Sequence, residues 1–215
     1  MRKLFSLESP LMTALGTLAD LVFCNILFCL LSLPLFTAGA ALTALYDCTL
    51  SIVEQQEESF IIHQFWKAFR RAFKRGTALG LICAAVFALL WGYYAAVEAL
   101  SGGLHRMYQV TFLVLAFLWL AVFQYIFPLQ ARFRMKVGQT LKTAALLSAA
   151  ALPWTLASLA VTAGAIYLSF FMNPDGLGIA AFLWFVGIFA VVAYLNSFFF
   201  RQAFKRLAPE QDQSS

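Results

Sequence analysis

The chain has 215 residues, of which 62% are hydrophobic and 12% charged, and its net charge is +5. A soluble globule of this length needs more polar surface than this composition supplies, so the sequence predicts an integral membrane protein. In such a protein an excess of Lys and Arg reflects retention in the cytoplasm, and we expect no nucleic-acid partner.

The first apolar region is long enough for two crossings. Ser9 followed by Pro10 is a typical helix start, with a capping side chain and proline at the first helical position. A single crossing needs only about 20 residues, and the apolar region continues to residue 53. Pro34 and Gly39 interrupt it, because proline ends a helix and glycine permits a turn. We therefore predict a hairpin of two crossings, at about residues 11–33 and 36–53.

Residues 60–75 combine aromatic and basic side chains at helical spacing. The pattern predicts an amphipathic helix lying flat on the cytoplasmic surface of the bilayer. Its polar and aromatic side chains are candidates for contact with lipid or with a partner: Phe65, Trp66, Lys67, Phe69, Arg70, Arg71, Phe73 and Lys74.

The third predicted crossing, residues 76–97, carries a small residue at every fourth position. Such a seam lets two helix backbones approach closely in lipid. It is expected to pack either against another crossing of the same chain or against a second copy. A homo-oligomer would use the first members of the seam: Gly76, Gly80, Ala84 and Ala88.

Three further uncharged runs complete the bundle, at about residues 107–129, 143–171 and 178–200. The fifth crossing is long enough to need the kink that Pro153 supplies. Residues 1–207 then form one domain, and residues 208–215 are predicted to be a disordered tail. The predicted fold is an all-α polytopic bundle of about six transmembrane helices with one cytoplasmic interfacial amphipathic helix.

The basic residues predict the orientation of these crossings. If six crossings alternate from a cytoplasmic N-terminus, Arg106 is the only one of the 15 Lys and Arg residues outside. Such a bias is typical of cytoplasmic loops. We therefore expect a bacterial inner-membrane protein with both termini in the cytoplasm.

Several segments spread over nearly the whole chain resemble the YesL-like family of bacterial membrane proteins. They are residues 18–21 (LADL), 32–40 (SLPLFTAGA), 43–46 (TALY), 127–133 (FPLQARF) and the basic helix with Phe at positions 65, 69 and 73. The resemblance implies a multi-pass membrane protein from a family often encoded beside carbohydrate uptake and two-component signalling genes. It implies no catalytic residues, because that family has no established activity.

Two acidic residues within the apolar runs, Asp20 and Asp47, are the candidates for a polar site. The predicted hairpin brings them to similar depth, with Asn25 and Thr43 in a second layer nearer the apex. Acids inside a membrane suggest a coupling-ion or proton site. Alternatively, both lie near the cytoplasmic interface, where they pair with Lys or Arg and anchor the hairpin.

No pattern indicates catalysis or a cofactor. The four cysteines lie in apolar runs without metal-binding spacing, and the two histidines are predicted on opposite sides of the membrane. Common catalytic and nucleotide-binding motifs are missing from the sequence. We therefore expect no enzyme, no cofactor and no metal site.

The sequence supports two functional hypotheses. The first is an accessory or regulatory protein for carbohydrate uptake or sensing, whose partner is a sugar permease or a membrane sensor; this rests on the family resemblance. The second is a small secondary carrier that uses the acid pair.

Overall fold

The computed structural model describes residues 10–54, 60–98, 103–171 and 177–204. Every regular element in these ranges is helical. The elements in chain order are α1 (Pro10–Ser32), a 3-10 turn (Leu35–Thr37), α2 (Ala38–Val53), α3 (Ile61–Glu98), α4 (Gly103–Phe133), α5 (Val137–Ala150), α6 (Leu152–Phe171), α7 (Leu177–Leu183), a π-helical turn (Trp184–Ile188) and α8 (Phe189–Phe204).

Six helical segments of the described chain are long and apolar enough to cross a membrane. The predicted all-α bundle with six candidate crossings is thereby confirmed, and the chain is a multi-pass membrane protein. Large apolar side chains remain exposed on most of these helices, Leu89 and Trp91 among them, as expected for surfaces that face lipid.

The hairpin between α1 and α2 turns at the predicted place. The helix ends at Ser32 because the next residue, Leu33, precedes Pro34, and the residue before a proline is disfavoured in the helical conformation. The hydroxyl of Thr37 donates to the carbonyls of Leu31, at 2.5 Å, and Pro34, at 2.7 Å. The bond to Leu31 satisfies a carbonyl that the end of α1 leaves free.

Helix α2 forms the centre of the bundle. It packs against α1, α3, α4 and α8, and most of its small and apolar residues are buried, including Ala40, Ala44 and Cys48. In lipid, small residues allow close helix packing because the backbones can approach each other.

Helices α2 and α3 run antiparallel in backbone contact. A methyl group added at Gly39 would lie 2.2 Å from the carbonyl oxygen of Gly76 and 2.8 Å from the Cα of Gly80. Further along, the side-chain amide of Gln64 donates to Ser51 Oγ at 2.8 Å. The basic part of α3 therefore lies alongside α2 over nearly the full length of α2.

This arrangement differs from the predicted separate surface helix. Residues 60–75 and the third crossing form one continuous helix, α3. Nothing breaks the helix between them, because a single glycine costs only about 1 kcal/mol in a helix and Gly76 is packed against Ala40. The basic segment thus continues into the third crossing beside α2 and is not a separate helix, while its place at the cytoplasmic surface of the bilayer stays a prediction.

The last two crossings are each interrupted, the fifth where a kink at Pro153 was predicted and the sixth where none was. The fifth is broken at Ala151, since Pro153 has no N–H with which to continue the hydrogen bonds of α5. The hydroxyl of Thr155 donates to the carbonyl of Ser148 at 3.0 Å across this break. The sixth contains the π-helical turn Trp184–Ile188. The predicted tail, residues 208–215, lies outside the described residues.

Candidate functional site

Asp47 and Thr43 lie one turn apart on α2 and line the same cavity. This cavity has a volume of about 670 Å³ and is formed between α2, the basic part of α3 and the end of α4. A second cavity of about 350 Å³ adjoins it and shares Asp47, Arg71, Ala131 and Arg134 with the first. We call the two cavities together the basic groove.

The basic groove carries a large excess of positive charge. Asp47 is the one acidic residue lining it in the described part of the chain. The basic residues lining it are Lys67, Arg70, Arg71, Lys74, Arg75, Arg132 and Arg134. All of them are exposed, whereas Asp47 is half-buried.

Helix α3 presents its basic side chains because its apolar face is packed inside the protein. Phe65 is 0% exposed and Phe69 is 7% exposed. Both residues were predicted on a lipid or partner surface. Phe65 is packed in the protein core and lies off that surface, whereas Phe69, although mostly buried, still lines the larger cavity. Trp66 and Phe73 remain partly exposed beside the basic side chains, and the guanidinium of Arg70 lies 5.9 Å from the centre of the Trp66 ring.

The spacing of charges on α3 is unfavourable for the isolated helix. Lys67 and Arg71 are four residues apart, as are Arg70 and Lys74, and each like-charged pair destabilises a helix by about 0.2–0.5 kcal/mol. Among the described residues the one ion pair joins Arg132 to Glu54, with 2.5 Å between Nη1 and Oε2. No basic side chain of α3 takes part in that ion pair, and Asp47 is the acidic side chain of the described chain that lies among them in the groove.

The corner after α4 places Arg134 at the basic groove. Arg134 has a φ of 50°, and no other non-glycine residue of the described ranges has a positive φ. This conformation costs about 1–2 kcal/mol for a residue with a Cβ. The guanidinium of Arg75 donates to the carbonyl oxygen of Arg134, so α3 holds the corner in place.

Part of this region matches a known protein family. Residues 21–93 match the family model described as "Protein of unknown function, DUF624". The match runs from Leu21 in α1 to Tyr93 in α3, so it includes Asp47 and the basic side chains of α3 but stops before Arg134.

One curated relative is the uncharacterised protein YteU of Bacillus subtilis (strain 168). It is 28% identical to this chain over 141 residues, which is 66% of this chain and 63% of the relative. The chain thus covers less than two thirds of the length of that relative. No solved structure matches the chain significantly.

The predicted polar residues of α1 belong to a different part of the molecule. Asp20 is half-buried and lines neither cavity of the basic groove. Asn25 is fully buried. Its amide nitrogen donates to the carbonyls of Trp184, at 3.0 Å, and Phe185, at 2.6 Å. Its amide oxygen accepts a hydrogen bond of 2.9 Å from the N–H of Ala190. Asn25 thereby satisfies backbone groups that the π-helical turn leaves free.

Thr43 does not share a hydrogen bond with Asn25. Its hydroxyl donates to the carbonyl of Gly39, one turn earlier in α2, at 2.8 Å. The four candidate residues thus separate into two pairs: Thr43 and Asp47 at the basic groove, and Asp20 and Asn25 on α1.

A second polar cluster lies between α4, α6 and α8, and the sequence reasoning missed it. Ser158 donates to Gln124, and Thr162 accepts from Gln124 at 3.4 Å and from Asn196 at 3.1 Å. Gln124, Thr162 and Asn196 border an apolar cavity of about 500 Å³, and the oxygen of the Asn196 amide has no hydrogen-bond partner in the described residues. The regular spacing of Thr155, Ser158 and Thr162 on one face of α6 is the signal that could have revealed it.

The described residues contain no group of three His, Cys, Asp or Glu side chains placed to hold a metal ion. The four cysteines are free thiols, and three of them are buried: Cys24, Cys48 and Cys83.

Proposed function

We propose that the chain is an accessory or regulatory protein of the bacterial inner membrane that serves a carbohydrate uptake or sensing system. Its partner would be a sugar permease or a membrane sensor. The resemblance to the YesL-like family supports the carbohydrate association, and the match to the DUF624 model is compatible with it.

The position of the two acids is the observation that favours this function over a carrier. Asp47 lies in a groove lined by basic side chains, whereas Asp20 lies outside that groove. A coupling site for a proton or cation needs a carboxylate whose charge or ligand changes during transport. Positive side chains such as Arg71 and Arg134 would repel a coupling cation from Asp47.

The proposed orientation has both termini in the cytoplasm, and the distribution of Lys and Arg supports it. This support depends on a full crossing by both helices of the hairpin. If residues 35–53 were a surface or re-entrant segment instead, the basic part of α3 would lie outside and the bias would be lost. The proposal includes no catalytic activity, no cofactor and no nucleic-acid partner.

A secondary carrier is the alternative, and the cavity beside Asn196 is the observation that favours it. That cavity lies within the bundle and combines an apolar lining with the polar side chains of Gln124, Thr162 and Asn196. Ligand sites of small molecules typically have this combination.

A two-part experiment separates the functions. The tagged full-length protein is purified in a gentle detergent from its own membranes, from cells grown with and without a carbohydrate inducer, and the purified protein is also reconstituted alone. An accessory protein should co-purify with a sugar permease or sensor and give no coupled uptake alone. Proton- or cation-coupled uptake by the reconstituted protein alone, without any co-purifying partner, would establish the carrier instead.

A further inference from the structure

The basic groove contains several hydrogen-bond donors that point to an anionic ligand. Arg71 and Arg134 line both of its cavities, one from α3 and the other from the corner after α4. No acidic side chain in the described part of the chain forms an ion pair with either of them. Two elements of the fold therefore bring two guanidinium groups to one space, where Asp47 is the one acidic residue of the described chain that lines it.

A neutral donor, the side chain of Gln130, lines the larger cavity as well. Gln130 is only 3% exposed, and its amide oxygen accepts a hydrogen bond of 2.8 Å from the hydroxyl of Thr140. That bond fixes the amide plane. Its NH₂ group makes no hydrogen bond to any described residue, and because Gln130 lines the cavity this group can donate to a ligand there.

We propose that the basic groove binds one phosphate-bearing anion between Arg71 and Arg134, with the amide of Gln130 as a further donor. The anion is either a free phosphate or phosphate ester, or the headgroup of an anionic phospholipid. This site does not depend on the proposed accessory function and would exist equally in a carrier.

The chemistry of the donors favours phosphate over other anions. Each guanidinium is a planar fork that can bind two oxygens of a tetrahedral anion, and phosphate offers enough oxygens for both forks and for the amide. Trp66, Phe69 and Phe73 line the larger cavity beside these donors. The volume of about 670 Å³ leaves room there for the organic part of a phosphate ester or lipid.

The test uses the purified full-length protein and two probes. Inorganic phosphate is titrated calorimetrically in a neutral detergent at low ionic strength, with chloride as the comparison anion. Separately, the protein is placed in nanodiscs of phosphatidylcholine with or without phosphatidylglycerol, and the lipids that it retains are counted by native mass spectrometry. The variants are Arg71→Gln, Arg134→Gln and Arg71→Lys, with Arg106→Gln as the matched control because Arg106 is exposed at the opposite end of α4.

We expect phosphate to bind and Arg71→Gln and Arg134→Gln to weaken it by about 10- to 100-fold, the effect of losing a charge-assisted hydrogen bond. Arg71→Lys should weaken it less, because the charge remains while the fork is lost. Arg106→Gln should have no effect. If inorganic phosphate binds, the ligand is a free phosphate or phosphate ester. If phosphatidylglycerol is selectively retained and phosphate does not bind, the ligand is the lipid headgroup. Both results support the site.

Two results would overturn the proposal. One is that neither phosphate nor phosphatidylglycerol binds more tightly than chloride or phosphatidylcholine. The other is that Arg106→Gln weakens binding as much as Arg71→Gln does, which would indicate non-specific attraction to a basic protein. If Arg71→Gln does not fold, the comparison of Arg71→Lys and Arg134→Gln with the control decides the question.

Discussion

Gly39 of α2 lies so close to Gly76 of α3 that no side chain fits between the two helices. This contact fixes the centre of the bundle, and it accounts for the first two members of the predicted small-residue seam. Gly76 and Gly80 pack against α2 within the same chain, whereas Ala84 and Ala88 are exposed further along α3. A homo-oligomer through the seam therefore remains a proposal only for its exposed part.

The first prediction is that Gly39→Ala destabilises the protein. The new methyl group would lie 2.2 Å from the carbonyl oxygen of Gly76, so α2 and α3 would have to separate. Overpacking of this kind typically costs about 1–3 kcal/mol. Thermal unfolding in detergent should show a melting temperature several degrees below that of the unmodified protein.

The matched control is Gly92→Ala, on the same helix as Gly76. A methyl group at Gly92 meets nothing within 4 Å, and alanine is the better helix former by about 1 kcal/mol. The control should be neutral or slightly stabilising. Equal melting temperatures for the two variants would contradict the close packing of α2 on α3.

The second prediction concerns Asn25 and the π-helical turn. Asn25→Leu keeps a similar volume but leaves the carbonyls of Trp184 and Phe185 and the N–H of Ala190 without their partner. Each buried polar group left unsatisfied costs about 1–3 kcal/mol, so this variant should unfold at a clearly lower temperature.

Thr111→Val serves as the control for this change. Thr111 is exposed, and its hydroxyl donates only to the carbonyl of Met107 in its own helix, at 3.1 Å. Its loss should shift the melting temperature little. Hydrogen exchange should also increase at Ala190 in Asn25→Leu, and unchanged exchange there would argue against the structural role of Asn25.

The sequence predicted the elements of the fold better than their contacts. The crossings could be predicted because uncharged runs of about 20 residues have few alternatives in a membrane protein. The seam that starts at Gly76 was also recognisable. The helix that packs against this seam could not be predicted, because any crossing with small residues could fill that position. The register of α2 beside residues 61–76 depends on which helix it is.

The candidate site was only partly predictable for a similar reason. Asp47 and the basic side chains of α3 stand out as charges beside apolar runs. Gln130 does not stand out because it is an uncharged amide among apolar residues. Arg134 does not stand out because it adopts a positive φ at a position that has neither glycine nor asparagine. Their roles depend on the corner between α4 and α5, which is formed by contacts distant in sequence.

The third prediction tests the orientation of the hairpin. Gly39, at the start of α2 near the apex of the hairpin, is unsuitable for labelling because a cysteine side chain there would collide with α3. Leu35 is better suited, since it is 90% exposed at the apex between α1 and α2. If the hairpin crosses the bilayer fully, as proposed, Leu35→Cys in a cysteine-free background should be labelled in intact cells by an impermeant thiol reagent.

Gly138→Cys is the comparison position, at the start of α5 on the proposed cytoplasmic side. It is exposed and has open space around it, so it should be labelled only after the cells are permeabilised. Labelling of Gly138→Cys in intact cells would refute the orientation. Protection of Leu35→Cys both before and after permeabilisation would show that the apex ends within the bilayer.

The last prediction uses Asp20 and Asp47 to distinguish the accessory protein from the carrier. In the accessory protein, Asp47 stabilises the basic groove because its negative charge lies among Arg71, Arg134 and the other basic side chains. Asp47→Asn should then destabilise the folded state by about 1 kcal/mol, the upper range for partly exposed charge pairs. For a chain of this length that shift corresponds to about 2–4 °C in melting temperature.

Asp20→Asn should change the melting temperature less, because Asp20 lies away from the groove. Glu98→Gln, an exposed change at the end of α3, controls for the loss of any acidic side chain.

The protein that remains folded in both Asn variants should still support the partner system at normal levels, because a structural carboxylate takes no part in a transport cycle. In a carrier the same substitutions would remove the group that must change its protonation or its ligand. Normal expression and unchanged melting temperatures for both Asn variants, combined with complete loss of uptake by the protein reconstituted alone, would therefore decide for the carrier.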